Sequence, residues 1–108
     1  MGILSILKNK TMTATLTNLK IKHDADKHMF YAKVKGGNAE LSYAKHGHDY
    51  LDYQHTYVPD ASRGFGVAST IVEFAMEFAK QNQIKVKPTC PFVKDFIQEN
   101  PEYRSITI

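Results

Sequence analysis

The chain has 108 residues, of which 43% are hydrophobic and 23% charged, enough for one domain with one core and too few for two. Its formal charge of +3 favours an anionic ligand without implying nucleic acid. The single cysteine, Cys90, excludes an internal disulfide and fits a reducing compartment. Residues 3–7 are apolar apart from Ser5, too short a run for a signal-peptide core or a membrane span. A cytoplasmic protein with no membrane partner is expected.

Residues 1–18 show no clear hydrophobic period and are read as an N-terminal arm or leading strand; the domain proper is taken as residues 19–108. From Leu19 the pattern alternates, with Leu19, Ile21 and His23 set against Lys20 and Lys22, as in a half-buried strand. A polar turn, Asp24-Ala25-Asp26-Lys27, leads to a second strand over residues 29–34. Gly36-Gly37-Asn38 then supplies the positive-φ positions of a hairpin, and residues 39–44 return. His46-Gly47-His48-Asp49 connects to a fourth strand. It reads as a solvated polar turn, because a metal site needs three or four ligands at fixed geometry and the sequence offers no spaced partner set beyond the isolated His55 and Cys90. No metal is expected.

The fourth strand spans residues 50–58. Strict alternation places Leu51, Tyr53, His55 and Tyr57 on one side and Asp52, Gln54, Thr56 and Val58 on the other. Pro59 ends it, and Asp60 and Ser62 are candidate caps for the loop and the coming helix. In residues 68–81, Ala68, Ile71, Val72, Ala75, Phe78 and Ala79 recur at helical spacing opposite Ser69, Glu73, Glu77 and Lys80. Asn82 is the expected helix end. A fifth strand over residues 84–89 can lie parallel to the fourth, with the helix as right-handed crossover. A short helix to about Glu99 and a last strand over residues 105–108 complete a small α/β sandwich.

Between the fourth strand and the helix lies Val58-Pro59-Asp60-Ala61-Ser62-Arg63-Gly64-Phe65-Gly66-Val67-Ala68. A strand turning through glycines into a helix aims unpaired backbone N–H groups at one point, a natural anion seat. Ser69 stands where a dinucleotide-binding loop wants its third glycine, and the Gly-Lys-Ser/Thr of a P-loop is absent. Gly64 and Gly66 permit close backbone approach, and Arg63 either adds a charge-assisted contact or holds the loop.

Arg63-Gly64-Phe65-Gly66-Val67-Ala68 resembles motif A of the GCN5-related N-acetyltransferases, Arg/Gln-x-x-Gly-x-Gly/Ala, with Arg63, Gly66 and Ala68 at its defining positions. His55-Thr56-Tyr57-Val58-Pro59 before it, and Cys90-Pro91-Phe92-Val93 with Asn100-Pro101-Glu102-Tyr103 after it, are similar to the short acetyltransferase-like subfamily. The resemblance spans about residues 19–103. It implies a minimal form of that fold, a mixed and mostly antiparallel sheet with a strand–loop–helix–strand coenzyme A site, and binding of acetyl-coenzyme A. It also implies that the pyrophosphate meets residues 63–69, Arg63 to Ser69 with Phe65 and Val67 among them. The pantetheine arm pairs with Thr56, Tyr57 and Val58, and Phe92, Val93 and Cys90 line the channel.

Acetyl transfer to an amine needs a deprotonated nucleophile, a polarised carbonyl and a proton for the leaving thiolate. The wider family often uses a fourth-strand glutamate as base, and none is present here. His55 is the nearest substitute by its ordinary pKa, and Cys90 is the candidate nucleophile. The expected function is N-acetyl transfer to an unidentified amine; the alternative is a coenzyme A-binding module without transferase activity. Tyr31, Tyr43, Tyr50 and Tyr53 with nearby lysines would suit single-stranded nucleic acid, but no RNA-binding signature accompanies them, so no nucleic-acid partner is expected.

Overall fold

The computed structural model describes residues 19–108; the arm expected over residues 1–18 lies outside the described residues. Five strands, β1 (Lys22–Asp24), β2 (Met29–Val34), β3 (Gly37–His46), β4 (Tyr50–Tyr57) and β5 (Lys85–Lys87), form one sheet in chain order. The first four are antiparallel neighbours, and β5 lies parallel to β4. Helix α1 (Val67–Gln81) makes the crossover between them, and a shorter helix, α2 (Pro91–Glu99), follows β5. The expected mixed α/β architecture is present.

One face of the sheet is apolar. Phe30 and Ala32 on β2 lie opposite Leu41 and Ala39 on β3, and all four are buried. Val67, Ile71, Val72, Ala75, Met76 and Ala79 of α1 belong to the same core. Each large side chain so buried contributes about 1.5–3 kcal/mol. His23 extends this packing at the β1 edge, stacked on Phe30 with ring centroids 4.3 Å apart and meeting Phe78 edge-on at 4.5 Å. Burial lowers its pKa; nearby Asp24 opposes the shift and His28 adds to it. Its Nε2 lies 2.7 Å from the Tyr43 hydroxyl.

Strict alternation fails in β4. Tyr43 pairs with Tyr53 and Ser42 with His55, which leaves Gln54 without a partner in a β-bulge. The extra residue inverts the side-chain parity for the rest of the strand. Leu51, Tyr53 and Val58 are buried, and Thr56, paired with buried Leu41, faces the same way. His55 and Tyr57 fall on the opposite face and are exposed. The expected grouping of Leu51, Tyr53, His55 and Tyr57 is therefore wrong beyond Gln54.

Other expectations need smaller corrections. The first hairpin turns at Lys35-Gly36, with Gly37 and Asn38 already in β3. The first and fifth strands are shorter than the alternation suggested, because only three residues of each find a ladder. Neither Asp60 nor Ser62 caps α1; its N-cap is Gly66, at φ 82° and without a side-chain cap bond. Asn82 does close the helix, its side-chain amide donating to the Phe78 carbonyl at 2.8 Å. The last strand is instead a 3-10 turn over Pro101–Ile106, with a single parallel bridge from Thr107 to Val86. Tyr103 explains the difference. It is buried, stacks on Phe96 and donates to Glu77 of α1 at 2.6 Å, drawing the chain into a turn before it can pair.

The Tyr53 hydroxyl, in a side chain with no exposed surface, donates to the Ala75 carbonyl of α1 at 2.7 Å. Burial raises its pKa, so it stays a neutral donor. Tyr53→Phe is expected to cost about 0.5–1.5 kcal/mol, read as a lower urea midpoint at unchanged slope. An unmoved midpoint would show that this bond does not secure helix to sheet.

Candidate functional site

The site begins where the sheet opens. β4 and β5 pair only from Tyr50 to Asp52, so β4 runs on from Tyr53 to Tyr57 with no strand on that edge among the described residues. The apex of the wedge is stitched by polar contacts. The Cys90 N–H donates to the Tyr53 carbonyl at 2.9 Å, and the Thr89 hydroxyl donates to Asp52 at 2.5 Å. Asp52 is buried and also lies 3.4 Å from the Gln54 amide. Just beyond, the Cys90 Sγ is 3.4 Å from the Thr56 hydroxyl.

The loop after β4 is held at both ends. The Arg63 Nε donates to the Val58 carbonyl at 2.9 Å, and its Nη1 lies 2.8 Å from the exposed Asp60 carboxylate. Arg63 thus closes the loop, with its guanidinium still largely in solvent. Ser62 donates to the Lys35 carbonyl at 2.7 Å, tying the loop to the β2–β3 turn. At that turn Gly36 has φ +94°, and a Cβ there would stand 3.1 Å from Pro59 Cβ. Only glycine lets the two segments approach so closely.

Gly64 and Gly66 both have positive φ and swing the chain into α1. The first helical N–H to reach a backbone carbonyl of the turn is that of Thr70, on Gly66 at 3.0 Å. Those of Val67, Ala68 and Ser69 precede the first helical bond; there is no side-chain cap and no acidic residue in the first turn. They open onto a hollow of about 400 Å3 lined by Val58, Ser62, Arg63, Gly64, Gly66, Val67, Ala68, Ser69 and Phe92. Oriented backbone donors and the positive helix end favour an anion there.

Most of the residues singled out from the sequence border this hollow or the wedge. Phe65 instead projects into solvent, 64% exposed, and Val93 is fully buried in the core. Thr56 and Cys90 meet at the apex, whereas the bulge turns His55 and Tyr57 to the far face. His55 and Cys90 therefore do not form a pair. Sequence reasoning missed Ser62 as a lining residue, the support from Gly36, and the Asp52–Thr89 contact. An aspartate within an otherwise strand-like run was the one visible sign of the last. His46 stacks on Tyr50 at 4.6 Å, and among the described residues no group of three or more His, Cys, Asp or Glu side chains is placed to hold a metal ion. No described helix is long and apolar enough to cross a membrane.

Residues 29–106 match the family model described as GCN5-related N-acetyl-transferase. Among the relatives, Protein NATD1 of Xenopus tropicalis is 33% identical over 87 residues, covering 79% of this chain and 80% of that protein. Protein NATD1 of Homo sapiens is 33% identical over 85 residues, covering 77% and 75%. The solution structure of a GCN5-like protein from Staphylococcus aureus superposes with a TM-score of 0.66 at 25% identity, covering 86% of this chain and 91% of that one.

The contact between turn and loop is open to a paired test. Gly36 and Gly64 have similar φ, +94° and +84°, but a Cβ at Gly64 meets nothing within 4 Å. Gly64→Ala should lose only the backbone cost, about 1–2 kcal/mol. Gly36→Ala should lose distinctly more, measured by urea denaturation of both variants. Equal losses would mean that Pro59 yields and the turn does not brace the loop.

Proposed function

The chain belongs to the GCN5-related N-acetyltransferase family, and on that footing we propose that it binds acetyl-coenzyme A at residues 56–69 and moves the acetyl group to an amine. One observation carries the reading. An uncapped helix N-terminus, free of acidic residues, faces a hollow beside the stretch of β4 that β5 does not pair. The residues present fit a pyrophosphate: Gly64 and Gly66 remove side-chain obstruction, and the amides of Val67, Ala68 and Ser69 donate. Arg63 shapes the loop and adds positive charge. The stretch from Thr56 to Val58, beyond the β5 pairing, offers backbone groups other than the Val58 carbonyl, which Arg63 holds, to an extended amide arm, as an added strand would use them. Phe92, 39% exposed, gives that arm an apolar wall.

Acetyl-coenzyme A, when bound, supplies an activated thioester; the chain's own part is to orient it and exclude water. We assign the polarising of the thioester carbonyl to a backbone N–H near Tyr57 or Val58. Cys90 is 5% exposed, and its thiol contacts the Thr56 hydroxyl rather than an imidazole or carboxylate. We assign it to the channel wall, with transfer passing directly to the amine. A second reading, binding without transferase activity, draws on the absence of a fourth-strand glutamate and on His55 facing away from the wedge.

Titration calorimetry with acetyl-coenzyme A should show binding that Gly66→Glu abolishes, since that substitution puts bulk and negative charge at the helix end. Undiminished binding by the variant would defeat the loop assignment. Intact mass after incubation with acetyl-coenzyme A should show no acetyl adduct, and Cys90→Ala should retain thiol release with amine acceptors. An adduct at Cys90, with release lost in the variant, would establish a covalent route instead. No thiol release with any amine, despite binding, would favour the second reading.

A further inference from the structure

The face of the sheet turned away from α1 carries its side chains in level rows across β1 to β4. One row is Lys22, Tyr31, Glu40 and Tyr57; the next is Asp24, Met29, Ser42 and His55; Lys33 and Asn38 begin a third. All are half-buried or exposed, Tyr57 to 45%. Among the described residues, Lys22, Tyr31, Lys33, Glu40, His55 and Tyr57 make no side-chain hydrogen bond or ion pair. The three rows hold two lysines and two carboxylates. This face is therefore balanced in charge, although the chain as a whole carries +3. Tyr31 and Met29 stand towards its middle, and both residue types are enriched where proteins meet.

We infer that this face docks a second copy of the same chain, about a two-fold axis running parallel to the strands between β2 and β3. The inference does not rest on the function proposed above. Charge complementarity of the face with itself carries it. Such an axis keeps each row level and sets β1 against β4, and β2 against β3, of the other copy. Lys22 then faces the partner's Tyr57, a cation over an aromatic ring. Tyr31 faces the partner's Glu40, hydroxyl to carboxylate, and Asp24 faces the partner's His55. Lys33 lies one step along β2 from Tyr31, about 7 Å away, so its long stem reaches the same Glu40. Each of these contacts occurs twice, as a closed dimer requires. Two sheets packed face to face in this way keep their strands within about 30° of each other. An axis perpendicular to the strands would instead stack each strand on its own copy. Lys22 would then meet Lys22 and Glu40 would meet Glu40, and like charges brought together across an interface oppose association.

Sedimentation velocity of the full chain should show a monomer–dimer equilibrium in which the dimer gains as concentration rises. Glu40→Lys sets lysine against lysine across the interface, and Lys33→Glu sets glutamate against glutamate. Each should weaken self-association by on the order of tenfold or more. Mixed in equal amounts, the two variants should dimerise again, because positions 33 and 40 then meet with opposite signs at both ends of the interface. Lys33 is exposed and Glu40 half-buried, so both variants are expected to fold, with an unchanged far-ultraviolet circular dichroism spectrum as the check. A full chain that stays monomeric at every concentration, as it would if residues 1–18 or an unrelated protein occupied this face, overturns the inference. So does a dimer that both variants leave intact, or one that the mixture fails to restore.

Discussion

The incomplete pairing of β4 with β5 is the constraint on which the site depends. Three residue pairs fix the two strands side by side, and then one strand continues while the other turns away. A sheet interior ordinarily leaves no backbone group idle, because an unpaired buried donor or acceptor carries a desolvation cost. Here the idle groups sit at an opening, and the surrounding polar contacts keep that opening from collapsing. Asp52, Thr89, Tyr53 and Cys90 fasten its apex. The helix that bridges the two strands delivers its N-terminus to the mouth. Strand edge and helix end then converge because the crossover is short and α1 follows β4 after one loop.

Much of this was legible in the sequence. Strand β2 is bounded by the residues that alternation indicated, and the crossover helix follows from the spacing of Ile71, Val72, Ala75 and Ala79. The loop was recognisable from its glycines and neighbouring motif residues. What alternation hid was the bulge. A β-bulge inserts a residue without a distinct composition, and Gln54 between Tyr53 and His55 gives no local sign of one. His55 was consequently grouped with Leu51, Tyr53 and Tyr57. The final segment misled for a different reason: Ser105 to Ile108 has the composition of a strand, yet buried Tyr103, bonded to Glu77, settles its shape from a distance of 26 residues. Local pattern carries no record of such tertiary contacts.

The bulge also divides labour between the two faces of β4. Toward α1, Tyr53 and Val58 complete the core and Thr56 meets Cys90. Toward solvent, Tyr57 and His55 stand on a surface that the helices leave uncovered. Had alternation persisted, Thr56 would point outward and His55 would be forced among Leu41, Tyr43 and Tyr53, where a polar ring needs partners that the apolar side chains cannot give. The inserted residue lets one strand serve core and surface in the same short span.

The bond from Ser62 to Lys35, with Gly36 packed beneath Pro59, bears on the order in which the molecule assembles. The β2–β3 hairpin closes over a few residues and loses little loop entropy, whereas the parallel β4–β5 pairing must await the whole of α1. A turn made early can thus act as a mould for a loop that arrives later. On this view the anion seat takes its curvature from a hairpin earlier in the chain, and a substitution in that distant turn alters the shape before any ligand is present to select it.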